Sequence, residues 1–172
     1  MLGRSLLSLA VLIGLSSPAP AQTASKPLQA IGFLVGTWTG SGKVADTGGT
    51  SRGTSTIAPD AGGAVLLRRD HTDLFDANGK PAGDFEQIML IYPEGGTLHA
   101  DYSDGEHIIH YTSAVVVAGR SVAFMSATSP SAPTFRLTYD LTDPKTLGVR
   151  FEMAPPGQTE FHAIAAGTLN KH

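Results

Sequence analysis

Downstream of Val35 the chain meets turn chemistry about every 8–12 residues, a spacing that leaves room for short strands and little else. The connectors are Asp46-Thr47-Gly48-Gly49, Asp60-Ala61-Gly62-Gly63, Asp76-Ala77-Asn78-Gly79, Pro93-Glu94-Gly95-Gly96, Asp104-Gly105, Ala118-Gly119, Ser129-Pro130 and Pro155-Pro156-Gly157. They carry turn chemistry: glycines that tolerate positive φ, prolines that preset φ, or side chains that hydrogen-bond their own backbone. The segments between them predict strands near 35–43, 51–58, 64–73, 85–92, 97–103, 106–114, 120–126, 134–140, 146–153 and 161–169. Links of hairpin length make sequential strands antiparallel. A meander of about ten strands has two free edges unless it closes, and closure removes the liability of unpaired edges. The expected fold is therefore all-β, a closed antiparallel up-and-down barrel of about ten strands.

One segment departs from that pattern. In Pro27 to Leu34, Leu28, Ile31 and Leu34 recur at three-residue spacing, and Pro27 suits a first helical turn. This predicts a short helix capping one barrel end, with Trp38 as a structural plug beneath it. Alternation along the strands predicts which side faces in. Phe135, Leu137 and Tyr139 share one face of their strand. Leu147, Val149, Phe151 and Met153 share one face of the next.

The Asp104-Gly105 hairpin brings polar groups to the inner face. A two-residue turn there pairs Ser103 with Glu106, Tyr102 with His107, and His99 with His110. The more apolar face then carries Leu98, Ala100, Tyr102, His107, Ile109 and Tyr111. Tyr102, His107, Tyr111 and Tyr139 are thus the candidate ligand-binding residues, a polar floor in an apolar cavity. The alternative is a hydrogen-bonded core cluster. On the outer face, His99, His110 and Asp101 form a chance-grade cluster on a solvated sheet. His107 and His110 face opposite ways, so no metal site is assigned.

Composition bounds the rest. The chain has 172 residues, 12 Lys+Arg against 15 Asp+Glu, and no Cys. The absence of Cys removes disulfides, thiolate metal sites and Cys nucleophiles. A net charge of −3 argues against nucleic acid as a partner, and the adjacent Arg68-Arg69 point to opposite faces. Residues 1–21 read as a signal peptide: Arg4, the apolar run Leu6 to Leu15, the breaker Pro18 and the cleavage site Ala19-Pro20-Ala21 come in order. That run is too short to span a bilayer, and no later stretch is apolar enough for a membrane helix. The expectation is a periplasmic or secreted protein without stable membrane insertion, with a flexible arm at 22–26 and one barrel domain at 27–172. No G-x-S-x-G, H-E-x-x-H or phosphate loop is present, so no sequence motif names an enzyme or a catalytic residue. Oligomeric state is not legible.

The stretch Phe33-Leu34-Val35-Gly36-Thr37-Trp38-Thr39-Gly40-Ser41-Gly42 resembles the opening of fatty-acid-binding-protein-like and lipocalin-like barrels, where a G-x-W motif starts the first strand. With Ile91-Tyr92-Pro93, Tyr102-Ser103-Asp104-Gly105-Glu106-His107 and Phe151 to Gln158, the chain is similar to uncharacterised exported bacterial lipocalin-like (calycin-type) proteins. The resemblance implies closure, a capping helix and an apolar cavity. A more distant similarity to the nitrobindin family implies haem as a cofactor, with His162 in Thr159-Glu160-Phe161-His162 as axial ligand. If Phe161, Ala163, Ala165 and Leu169 form the inner set, however, His162 points to solvent.

The leading expectation is a barrel whose partner is a small hydrophobic or amphipathic ligand and which needs no cofactor. The rivals are a haem protein acting on nitrogen oxides or peroxides through His162, a cofactor-free enzyme with His107 as general base, and an interaction module with a filled barrel.

Overall fold

A computed structural model describes residues 24–45 and 47–172. The predicted leader, residues 1–21, lies outside the described residues, as do the first two residues of the predicted arm. Within that arm Ala24 packs against the core and Lys26 opens the helix.

The helical piece is shorter and more broken than its spacing predicts. Helix α1 covers Lys26–Ala30 with Pro27 in its first turn, and a separate 3₁₀ turn follows at Gly32–Leu34. Gly32 lowers the helical propensity where one continuous helix is expected. The apolar spacing still holds: Leu28, Ile31 and Leu34 are all buried.

Ten strands follow: β1 (Gly36–Val44), β2 (Thr50–Asp60), β3 (Val65–Phe75), β4 (Pro81–Glu94), β5 (Thr97–Ser103), β6 (Ile108–Val117), β7 (Ser121–Ser126), β8 (Thr134–Asp143), β9 (Thr146–Ala154) and β10 (His162–Lys171). Each pairs antiparallel with the next. β1 and β10 close the barrel, with Trp38 opposite Lys171 and Gly42 opposite Gly167. No sheet edge is left unpaired, which is the physical reason a meander of this length closes.

Glycines in β1, β2 and β10 let neighbouring backbone come close. A Cβ placed on Gly40 would lie 2.3 Å from the Thr168 carbonyl oxygen, and one on Gly53 equally close to that of His71. No side chain fits such approaches.

The two barrel ends differ. Helix α1 and its 3₁₀ turn close one end, tied to the β6–β7 turn by a bond from the Gly119 N–H to the Ala30 carbonyl. Trp38 is fully buried there, as the plug reading predicts. Its Nε1 donates to the Leu34 carbonyl at 2.8 Å, and Lys171 Nζ lies 5.0 Å from its ring centroid. The other end carries the longer loops 76–80, 104–107, 127–133 and 155–161. Among the described residues, no helix is long and apolar enough to cross a membrane.

Two expectations about local register are corrected. The Asp104-Gly105 hairpin is not a two-residue turn: Ser103 pairs with Ile108, Tyr102 with Ile109 and Asp101 with His110. Asp104 Oδ1 accepts the backbone N–H groups of Glu106 and His107 at 3.1 and 2.7 Å, which stabilises a four-residue loop. Adding two residues preserves parity, so Ile109 and Tyr111 still face in, but His107 leaves the ladder. The second correction concerns β10. A bulge between Ala163 and Ala165 resets its faces, and Phe161 lies outside, its ring centroid 4.1 Å from the Arg136 guanidinium.

Candidate functional site

The barrel half away from α1 is not filled by side chains. It holds an open cavity of about 410 Å³ lined by apolar groups such as Leu74, Phe85, Leu137, Val149, Phe151 and Leu169. This size falls in the range of small-molecule sites. The filled-barrel reading is therefore overturned.

A polar floor crosses the cavity, and its centre is Arg68. Arg68 is 7% exposed and enters from β3, on the face that also carries Leu66, Asp70, Thr72 and Leu74. Its Nε donates to Asp70 Oδ2 at 2.7 Å, and Nη2 reaches the same oxygen. Nη1 donates to Tyr139 Oη at 2.5 Å and lies 3.6 Å from Met89 Sδ. Nη2 also donates to Gln87 Oε1 at 3.0 Å. Gln87 Nε2 then donates to Tyr102 Oη at 2.9 Å, and Tyr102 Oη donates to Asp104 Oδ2 at 3.3 Å. The network thus runs from the buried arginine to the β5–β6 loop.

The protonation states follow from burial and charge. Burial by itself lowers the Arg68 pKa, but Tyr139 and Asp70 outweigh it, so the guanidinium stays charged. Burial raises the pKa of Tyr102, Tyr111 and Tyr139, so all three are neutral hydroxyls near pH 7. At Asp104 desolvation is opposed by the two backbone N–H bonds and by His107, and the carboxyl ends below its ordinary value. Two buried atoms of the cavity wall have no partner: Ser55 Oγ and Asp70 Oδ1.

Of the residues predicted from sequence, Tyr102, Tyr111 and Tyr139 come together on the lining. His107 does not. Its side chain is 71% exposed, outside the cavity, and touches the network only through Asp104 at 3.3 Å. The general-base reading of His107 fails on this geometry, since the imidazole has no access to a bound molecule. His99 and His110 are not cross-strand partners either. His110 Nδ1 meets Asp101 Oδ1 at 2.6 Å, and His99 stacks on Tyr92. Among the described residues, no three His, Asp or Glu gather as a metal site.

The haem reading names His162 as axial ligand, and that role requires its imidazole to be aimed into the cavity. His162 is exposed and does not line it, and no other histidine does. His162 therefore does not fit the role of axial ligand.

Arg68, Asp70, Gln87 and Ser55 escape the sequence reading. Along β3 one face holds Leu66, Arg68, Asp70, Thr72 and Leu74; the other holds Val65, Leu67, Arg69, His71 and Asp73. Both mix apolar and charged groups, so parity gives no direction. The one available signal is that Arg68 and Asp70 can neutralise each other at i, i+2 on a single face.

No protein-family profile matches the sequence, and no curated protein does. Solved structures match it in fold alone. The S-type phycobiliprotein lyase CPES from Guillardia theta aligns at 6% identity and TM-score 0.50, over 82% of this chain and 89% of that one. A de novo designed fluorescence-activating β barrel aligns at 14% identity and TM-score 0.44, over 84% and 98%. A redesigned barrel, mFAP1, bound to DFHBI, aligns at 14% identity and TM-score 0.40, over 83% and 99%.

Proposed function

We propose that this protein is an exported carrier or sensor that binds one small apolar or amphipathic molecule inside its barrel. The observation that carries the reading is the cavity itself: about 410 Å³, apolar on its walls and polar on one floor. Burying an apolar body against Leu137, Val149 and Phe151 supplies the driving force, and the floor sets orientation. Export rests on the signal-like sequence of residues 1–21. The fold by itself assigns no activity, since barrels host unrelated ones.

The test is a titration with N-phenyl-1-naphthylamine, a neutral probe whose fluorescence rises in apolar surroundings. Saturable binding at one probe per chain is expected, and Val149→Trp, which fills the lumen, abolishes it. A fluorescence rise that is unsaturable, or unchanged in the variant, reports surface adsorption and overturns the reading.

A further inference from the structure

A buried arginine in a ligand cavity invites an anion, but the hydrogen-bond count argues against one. A guanidinium has five N–H donors. Arg68 engages all three nitrogens within the wall: Nε on Asp70, Nη2 on Gln87 and in ion-pair contact with Asp70, and Nη1 on Tyr139 and toward Met89. Its charge is matched by Asp70. A carboxylate entering the cavity meets a guanidinium whose three nitrogens are all engaged, and lies beside the charge of Asp70. Prying Arg68 away to serve it would leave Asp70 buried and uncompensated, which is costly.

The unmet demand is of another kind. Asp70 Oδ1 has no donor and Ser55 Oγ has no partner, and both residues line the cavity. They are directly opposed on β3 and β2, and Ser55 is only 4% exposed. A carboxylate oxygen needs a donor, whereas a serine hydroxyl donates and accepts. One ligand hydroxyl meets both demands: its O–H donates to Asp70 Oδ1 while its oxygen accepts from Ser55. An ammonium donates but accepts nothing, and its charge is unmatched because Arg68 already neutralises Asp70. A carboxylate accepts from Ser55 and repels Asp70.

Deepening the binding reading above, on which this rests, we infer that the cavity selects an uncharged ligand bearing a hydroxyl, held between Ser55 and Asp70. Neither orphan atom touches solvent, so binding includes a turn of the Ser55 side chain toward the lumen that also uncovers Asp70 Oδ1, its cross-strand neighbour. The apolar remainder of the ligand lies along Leu137, Val149 and Phe151. The class is that of alcohols with an extended hydrocarbon body. Free fatty acids are excluded by the carboxylate argument.

Calorimetric titration with three ten-carbon probes decides it: 1-decanol, decanoate and decylamine at pH 7. The alcohol is expected to bind about tenfold more tightly than either charged probe. Ser55→Ala is expected to weaken decanol about fivefold or more and leave decanoate unchanged. Ser55→Cys keeps the shape with a poorer donor, and serves if the alanine variant folds badly. Asp70→Asn is expected to narrow the gap between decanol and decanoate. Equal or tighter decanoate binding, or a Ser55 variant with wild-type selectivity, overturns the hydroxyl site and leaves the cavity reading intact. If none of the probes binds protein that circular dichroism shows to be folded, both readings fall.

Discussion

The same strands build both halves of this barrel, yet a step of two to four residues along each one changes what it shows the interior. Toward α1, the inward positions of β1 to β5 carry Trp38, Ile57, Leu66, Ile91 and Leu98, all 3% exposed or less. Toward the loops, those strands present Gly40, Ser55, Arg68, Gln87 and Tyr102. The first half is filled by buried apolar side chains. The second gives up apolar burial for open space and a polar network. Stability should therefore be concentrated near the helix and ligand selectivity in the lumen.

The largest test of that division is Trp38→Ala. It removes the biggest buried side chain and its bond to Leu34, and should cost about 4 kcal/mol in urea unfolding. Where the variant stays folded, probe affinity should barely change, because Trp38 does not line the cavity. A large loss of affinity with little loss of stability would erase the boundary between the halves.

Arg68→Met probes the other half. Removing one partner of a buried pair strands Asp70, and should cost about 3 kcal/mol. The double variant Arg68→Met, Asp70→Leu should recover most of it, because two apolar groups need no partners. Selectivity should shift toward the ammonium probe in the single variant, where the Asp70 charge is no longer matched, and be lost in the double one. A double variant as unstable as the single would show that Tyr139 and Gln87, rather than Asp70, carry the cost.

Gly40→Ala lies on the boundary itself. Its new methyl would press on the Thr168 carbonyl, so β1 must pull away from β10. The expected cost is about 2 kcal/mol, read as a shift in the urea midpoint. Gly105→Ala, in an open turn at φ +91° with nothing within 4 Å, should cost less, about 1 kcal/mol, from backbone strain alone.

The same division explains what the sequence made legible. Alternation reveals strands wherever one face is clearly apolar, and all ten elements lie near their predicted positions. The barrel, the capping segment and the Trp38 plug follow from period and punctuation. The polar floor is harder to read, because a strand that lines a lumen with Arg68 and Asp70 no longer differs from one that shows Arg69 and Asp73 to water. His107 was misplaced for a separate reason. The carboxylate of Asp104 captures two backbone N–H groups, a local bond that a dipeptide turn rule does not see. Tyr102 and Tyr111 lie on the expected inner face because β5 and β6 keep their parity through the longer loop, and Tyr139 because β8 alternates.

The smallest predicted effect separates the halves by pH. On the outer face of the loop half, Arg136 Nε donates to Glu152 Oε2 at 2.7 Å and its guanidinium lies over Phe161, so one ion pair anchors the 155–161 segment. The Arg136 bond holds the Glu152 carboxyl below its ordinary value of 4.5. A depressed carboxyl contributes stability that is complete above the unfolded value and is lost as pH falls through the folded one. Wild type should therefore lose about 1 kcal/mol more than Glu152→Gln between pH 5 and pH 3. Hydrogen exchange should speed first around Phe161, while amides near Trp38, buried behind apolar neighbours, keep their protection. Equal acid sensitivity at both ends would mean that the barrel opens as one cooperative unit, and that the lumen cannot loosen without the plug.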